Sequence, residues 1–181
     1  MLDEACGAVV EPMTYAWRMV SFPSLARGVV VAVVLSLPAA AQPMLNTPLT
    51  PACISSPFGA RGPGGPRASL VHSGMDIPAP PGAWVRAAAA GRIAWVRRRG
   101  AAGLEVEVVH AGGLTTRYAH LGTVAPTIAS GRREVAQGEA LGRVGRTGVT
   151  YGTHLHFEAL LNGTRVNPAS LLPLPPCRPR S

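Results

Sequence analysis

The sequence contains no lysine, because all 17 basic residues among its 181 are arginine. A lipoyl- or biotinyl-type carrier is modified on a lysine, so this absence excludes such a carrier in the stretch Val135–Gly145, whose pattern would otherwise suit one. Only three cysteines are present. No two of them are spaced as C-x-x-C, which excludes a metal site built on that pair. Nothing after residue 42 shows sustained helical periodicity, which argues against a helical fold.

Aromatic residues are also scarce, with three each of Trp, Tyr and Phe, whereas glycine (21) and proline (18) are frequent. This composition favours one domain of short strands joined by many turns. Segments 92–96 and 104–108 alternate or nearly alternate between apolar and polar residues, as strands with one solvated face do. Asn162-Gly163, between two extended segments, predicts a two-residue hairpin turn of type I′. We therefore predict a mainly β fold of antiparallel sheets.

Residues 1–41 have the pattern of an export leader. Arg27 precedes the apolar run 28–37, and the alanines at 39–41 offer a small-x-small cleavage site. An apolar run of about ten residues is too short to span a bilayer, which favours a cleaved signal peptide. The alternative is that the leader stays uncleaved as a membrane anchor. We predict cleavage after Ala41, with translation starting at Met1 or at Met19. The mature protein is then expected in the periplasm or outside the cell, without a membrane span.

The rest of the chain is predicted to comprise a linker at 42–52, one domain at 53–172 and a proline-rich tail at 173–181. Cys6 falls in the leader, so Cys53 and Cys177 remain as an even pair that flanks the domain. In an oxidising compartment these two residues are expected to form a disulfide. The alternative is two unrelated thiols.

Four of the five histidines fall in three short segments: His72 with Asp76, His120, and His154 with His156. In an extended segment alternate side chains share a face. His154 and His156 therefore point into one space, while the intervening apolar residues point toward the core. Glu158 falls on the histidine face. His110, the fifth histidine, is interpreted as a hydrogen-bonded structural residue.

These residue types suit a hydrolytic zinc site, which usually takes three His and carboxylate ligands and leaves a fourth position for water. The interval from His72 to Asp76 would also suit one face of a helix. Gly74 within it and Pro78 just after it favour a loop that enters a strand. Spacing alone leaves open which of the four histidines bind the metal.

Three segments, in the same order, resemble the signatures of the lysostaphin-type (LytM-like) zinc peptidases: His72–Asp76, Arg117–Leu121 and Gly152–Glu158. The segments at 82–87, 138–142 and 145–148, which lie between these signatures, also resemble the sequences of this family. The resemblance covers about residues 53–172. Each signature is weak alone, whereas three in register make a specific match.

The resemblance implies that His72, Asp76 and His156 bind one zinc ion. It implies that His120 and His154 are catalytic, one as general base toward water and the other as stabiliser of the oxyanion, with the assignment between them left open. It also implies a barrel-sandwich arrangement with the metal on an open groove, and cleavage of peptide bonds in peptidoglycan cross-links or stem peptides. Glu158 is expected to orient a neighbouring group or to meet solvent rather than to act as the base.

The net charge of +8 favours anionic partners. No recognition helix or RNA-type aromatic motif is present, so we expect no nucleic-acid partner. The predicted partners are peptidoglycan and an anionic envelope surface, and the protein is predicted to be a monomer. The arginine run 97–99 is predicted to be an exposed turn. A catalytically silent wall-binding regulator on the same scaffold is the alternative function. The retained ligand positions count against it.

Overall fold

The computed structural model describes residues 44–61 and 70–178, so the predicted leader and the last three residues of the tail lie outside the described part. Within those ranges the regular elements are eleven strands and one short α-helix. In chain order they are β1 (Gly59–Ala60), β2 (Val71–His72), β3 (Met75–Pro78), β4 (Trp84–Arg86), β5 (Gly91–Arg99), β6 (Gly103–Val109), β7 (Leu114–Val124), α1 (Pro126–Ala129), β8 (Glu134–Val135), β9 (Ala140–Val144), β10 (His154–Leu161) and β11 (Thr164–Val166).

Nine of the described strands form one sheet with the path β11-β10-β7-β6-β5-β8. Strand β3 joins this path by pairing with β10, and the β4–β9 pair joins it through β7. All of these pairings are antiparallel. The predicted mainly β, antiparallel fold is confirmed, as an open sheet rather than a closed barrel. Strands β1 and β2 form a separate antiparallel pair.

Strand β10 separates the core from the candidate site. Leu155, Phe157 and Ala159 on one face are fully buried. Phe157 packs edge-on against Tyr118 of β7, with ring centroids 5.3 Å apart. Burying a large apolar side chain of this kind stabilises the fold by about 1.5–3 kcal/mol. Because side chains alternate along a strand, this buried face fixes the direction of the opposite one, where the histidines lie.

The described part of the segment predicted as a linker packs against the domain. Leu45 and Leu49 are only 5% and 3% exposed and belong to the hydrophobic core. The amide of Leu45 donates to the carbonyl oxygen of Leu171 at 3.0 Å. The described part of this segment therefore packs against the domain and is not a free linker.

The predicted disulfide between Cys53 and Cys177 is present, with Cα atoms 4.9 Å apart. Next to it, Ile54 forms a parallel bridge with Pro176, and the amide of Cys177 donates to the Ile54 carbonyl at 2.9 Å. The proline-rich tail is thus tied, covalently and by hydrogen bonds, to the start of the domain.

Two local predictions have different outcomes. The hairpin turn is confirmed, because Asn162 and Gly163 connect β10 to β11 with positive φ values of 49° and 80°. The prediction for the arginine run is wrong, because residues 97–99 end strand β5 instead of forming a turn. Arg97 stacks on Trp95 at 3.7 Å and pairs with Glu105 at 2.6 Å, which holds it on the strand.

No helix among the described residues has the length and apolarity needed to cross a bilayer.

Candidate metal centre and catalytic groove

The four clustered histidines line one groove of about 400 Å³ on the polar side of the sheet. Strands β2, β3, β7 and β10 supply His72, Asp76, His120 and the pair His154 and His156. Register brings them together, because His156 lies opposite Asp76 on β3 and opposite Ala119 on β7. All five residues that the sequence singled out for chemistry therefore share one space.

Three of these side chains place one donor atom each around a single point. The Nε2 atom of His72, the Oδ1 atom of Asp76 and the Nδ1 atom of His156 lie 2.9–3.1 Å from one another. They form the one cluster of ligand atoms with metal-site spacing among residues 44–61 and 70–178. A tetrahedral zinc ion with bonds of about 2.0–2.1 Å separates its ligand atoms by about 3.3 Å. The donor set therefore fits such an ion with shifts of a few tenths of an ångström.

The backbone of segment 55–57 holds the first two donors. Ser55 and Ser56 exchange amide–carbonyl hydrogen bonds with Asp76 at 3.0 and 2.9 Å. The carbonyl oxygen of Pro57 accepts from Nδ1 of His72 at 2.7 Å. Because a carbonyl oxygen only accepts, Nδ1 carries the proton and Nε2 keeps its lone pair for the cluster.

Gly74 lets the turn between β2 and β3 approach β10. A Cβ atom there would lie 2.3 Å from the carbonyl oxygen of Phe157, far inside contact distance. A larger residue would therefore push His72 and Asp76 away from His156. From this glycine the sequence predicts a loop that enters a strand, but not the close approach to Phe157.

The third donor is held from its far side. The Nε2 atom of His156 lies 3.3 Å from Oε1 of Glu158 and 3.5 Å from the hydroxyl of Ser73. With Nε2 facing a carboxylate, Nδ1 is the nitrogen turned toward Asp76. Glu158 thus contacts a neighbouring group rather than solvent, and Ser73 is a contact that the sequence patterns did not predict.

His120 and His154 flank the cluster without joining it. Their rings meet edge to face with centroids 4.9 Å apart. Nδ1 of His120 donates to the Thr147 carbonyl at 2.8 Å, and Nδ1 of His154 donates to the Gly152 carbonyl at 3.1 Å. Each ring therefore leaves Nε2 unprotonated, and that of His154 lies 3.5 Å from Oδ1 of Asp76.

The backbone at His120 is unusual, because its φ of 60° lies in the left-handed region. Non-glycine residues adopt this conformation uncommonly, and it concentrates at functional sites. The His120 carbonyl accepts from the amide of Gly145 at 3.0 Å, which ties β7 to the loop that also contains Thr147. The ring and the backbone carbonyl of His120 are thus both hydrogen-bonded to the same loop.

Burial and charge set the protonation of these groups. Burial would raise the pKa of Asp76, but hydrogen bonds from His156 and His72 lower it well below its ordinary range. Burial would lower the pKa of His156, but its hydrogen bonds to Asp76 and Glu158 raise the pKa to about 9. The metal-free cluster therefore holds a proton on His156 at neutral pH, which a cation would displace.

The two flanking imidazoles shift in the opposite direction. Burial lowers the pKa of His120 to about 4, against the hydrogen bond to Thr147, which raises it. Burial likewise lowers the pKa of His154. Both rings are therefore neutral at pH 7 and can accept a proton through Nε2.

Two residues near these motifs have structural roles only. His110 donates to the Ala90 carbonyl through Nδ1 at 2.8 Å, and its Nε2 contacts the Thr116 hydroxyl at 2.7 Å. Tyr118 is fully buried, and its hydroxyl accepts from the amide of Ala88. Neither side chain reaches the groove.

The pattern of Peptidase family M23 matches residues 70–168, more than half of the chain. This chain belongs to peptidase family M23. Its match begins two residues before His72 and ends beyond β11, so it contains all five clustered side chains. The resemblance to lysostaphin-type peptidases is thereby confirmed.

Relatives of this M23 chain include proteins with named activities. It is 43% identical over 129 residues to the DD-carboxypeptidase/endopeptidase Mpg of Neisseria meningitidis, covering 71% of this chain but 29% of that protein. The chain thus spans under a third of the length of this curated relative.

Solved structures share the fold. A protein from Pseudomonas aeruginosa named as a putative peptidase M23 is 34% identical, with a TM-score of 0.58, over 70% of this chain and 49% of that one. A zinc-containing peptidase from Vibrio cholerae is 28% identical, with a TM-score of 0.59, over 70% and 39%.

Proposed function

We propose that this M23 chain is a zinc-dependent endopeptidase that hydrolyses peptide bonds in peptidoglycan cross-links or stem peptides. The observation that carries the proposal is the convergence of three donor atoms beside two neutral imidazoles in an open groove. The name of the Neisseria relative supports a peptide bond as the target. A second relative, the peptidoglycan DD-endopeptidase ShyA of Vibrio cholerae, is 32% identical over 53% of this chain and 22% of that protein, and its name supports peptidoglycan as the substrate. The zinc-containing Vibrio peptidase supports zinc as the metal.

His72, Asp76 and His156 would hold one zinc ion through Nε2, Oδ1 and Nδ1. When bound, zinc supplies Lewis-acid polarisation of the peptide carbonyl and lowers the pKa of water. Two imidazoles and one carboxylate leave room for a fourth ligand, which is the ligand set of a catalytic rather than a structural zinc site.

His120 and His154 act on the substrate side of the groove. Both present an unprotonated Nε2, so either can take a proton from the attacking water and pass it to the leaving amine. The other ring, once it carries a proton on Nε2, would donate a hydrogen bond to the oxyanion that forms on the scissile carbonyl. The two rings lie edge to face in the same groove, and the proposal assigns one of them to each role.

The same proposal includes where the protein works. We propose that residues 1–41 are a cleaved leader and that the mature chain is exported and monomeric. We also propose that the domain begins at residue 53 and ends at residue 172. The net charge of +8 supports an anionic wall or envelope surface as the place of action.

Zinc analysis combined with digestion of isolated sacculi tests the proposal. Purified mature protein should contain about one zinc per chain and release muropeptides, while Asp76→Ala should lose both properties. His110→Gln changes a histidine outside the groove and is the matched control, with circular dichroism to check folding. Bound zinc in wild-type protein without release of any muropeptide would favour the wall-binding regulator instead.

A further inference from the structure

We propose that Glu158 is a positioning residue of the metal centre, acting through the His156 ring. This inference rests on the proposed zinc site and deepens it. The carboxylate of Glu158 holds Nε2 of His156, so that Nδ1 points at Asp76 and His72. The argument uses the position of Glu158 on β10, the partners of each of its oxygens, and their burial.

Strand alternation brings Glu158 to His156. Residues two apart on a strand share a face, and β10 buries the side chains on its other face. Glu158 lies directly opposite Arg117 in the pairing of β10 with β7. The carboxylate therefore has a charged partner across the sheet and a ligand imidazole beside it along the strand.

The two oxygens of Glu158 have different partners. Oε1 accepts from the Ser73 hydroxyl at 2.5 Å and lies 3.3 Å from Nε2 of His156. Oε2 lies 3.3 Å from a guanidinium nitrogen of Arg117 and 3.2 Å from Nε of Arg165. With four contacts from three strands and the turn after β2, the carboxylate has one orientation.

This geometry excludes Glu158 as a ligand of the same ion. Its oxygens face the nitrogen of His156 that points away from the three-donor cluster, and the second oxygen is turned to the arginines. Glu158 is only 7% exposed, so the carboxylate is not a solvated surface group either. Its remaining function is to hold the ring.

A carboxylate that accepts from the far N–H of a metal-binding imidazole fixes the tautomer and the ring orientation and raises the basicity of the ligand nitrogen. Loss of such a partner typically lowers metal affinity by about 10–100-fold. We expect that effect for Glu158, because its carboxylate is the one that contacts Nε2 of His156 among the described residues.

Glu107 offers a matched control. Its Oε2 accepts from Nε of Arg117 at 2.6 Å, so it supports the same guanidinium that contacts Glu158. Glu107 pairs with Arg117 rather than with His156. Glu107→Gln thus perturbs the charge network without removing the group that holds the ring.

The experiment measures zinc dissociation constants of the purified mature protein by competition with a chromophoric chelator, for wild type, Glu158→Gln, Glu158→Met and Glu107→Gln. The visible absorption of the cobalt-substituted proteins reports ligand geometry, and melting of the metal-free proteins reports folding. Glutamine keeps an uncharged acceptor and methionine has none, so affinity should fall in the order wild type, Gln, Met, with a loss of about 10–100-fold for Met. Glu107→Gln should stay within about threefold of wild type, because its effect reaches His156 only through Arg117.

Equal zinc affinities for wild type and both folded Glu158 variants would overturn the inference while leaving the proposed function intact. An equal loss in Glu107→Gln would overturn it too, by assigning the effect to the charge network as a whole. Wild-type protein that binds no zinc would remove both proposals. If Glu158→Met does not fold, the comparison of Glu158→Gln with Glu107→Gln decides the question.

Discussion

The carbonyl oxygen of Pro57 lies 2.7 Å from Nδ1 of His72 and fixes which nitrogen of that ring faces the metal cluster. Pro57 belongs to the segment that begins at Cys53, outside the residues matched by the M23 pattern. The disulfide to Cys177 and the bridge from Ile54 to Pro176 hold this segment in place. The two ends of the domain thus meet beside the segment whose carbonyl contacts His72.

Replacing Cys177 by serine should therefore weaken both the fold and the metal site. The two cysteines are 124 residues apart, and a loop of this length gives a stabilisation of about 4–5 kcal/mol in the chain-entropy model. We expect urea unfolding to show a loss of about 2–5 kcal/mol, and zinc affinity to fall because segment 55–57 is loosened. The double variant Cys53→Ser/Cys177→Ser should match the single one. Unchanged unfolding and zinc affinity would show that the segment is held by packing alone.

Gly74→Ala should disrupt the centre without touching a ligand. The new Cβ would lie 2.3 Å from the Phe157 carbonyl oxygen, so the β2–β3 turn must move. We expect a loss of about 1–3 kcal/mol in the free energy of unfolding and a drop in zinc content. Gly122→Ala is the control, because its nearest atom would be at an ordinary 3.4 Å. Equal behaviour of the two variants would contradict the close approach at Gly74.

Replacing His120 or His154 by alanine should separate metal binding from catalysis. Neither side chain supplies an atom to the three-donor cluster, so each variant should keep its zinc. Because both rings are assigned to proton transfer or oxyanion stabilisation, we expect kcat to fall by about 100–10,000-fold. Zinc content and hydrolysis rates of a defined cross-linked muropeptide measure the two properties. Loss of zinc in either variant would place that histidine among the ligands.

The depressed pKa of His120 predicts a pH effect on folding of the metal-free protein. Its pKa is about 4 in the folded chain, below the ordinary value of 6.5. Between these two values the unfolded chain binds the proton and the folded chain does not, so acid favours unfolding. The stability contributed by neutral His120 is complete above pH 6.5 and is lost as the pH falls toward 4.

Melting temperatures at about pH 7 and about pH 5 test this, because the two values bracket the titration of the unfolded chain. His120→Gln removes the titrating ring and should melt with a smaller difference between the two pH values than wild type. Identical differences would show that burial does not disfavour the charged form of His120.

The sequence predicts the parts of this site that follow from strand alternation. His154, His156 and Glu158 share a face because the residues between them are apolar and buried, and the hairpin after them follows from Asn162-Gly163. Resemblance selected the three donors, which spacing had left open. Their convergence in space required the pairing of β10 with both β3 and β7.

Other features had no local signal. A backbone carbonyl such as that of Pro57 looks the same in every sequence, so its contact with His72 depends on long-range packing. Leu45 and Leu49 stand among prolines without a periodic pattern, yet the core buries them. The sequence predicts a turn at the arginine run 97–99, whereas Trp95 and Glu105 provide partners that hold Arg97 on the strand.

The most direct test of the central claim is digestion of purified cross-linked muropeptide dimers in ¹⁸O-labelled water by the zinc-loaded protein, followed by mass spectrometry. A hydrolytic endopeptidase should convert dimers into monomers and place one labelled oxygen in each new carboxyl group, and His156→Ala should leave the dimers intact. Dimers that persist with zinc-loaded wild-type protein, or monomers that appear without label, would contradict the account.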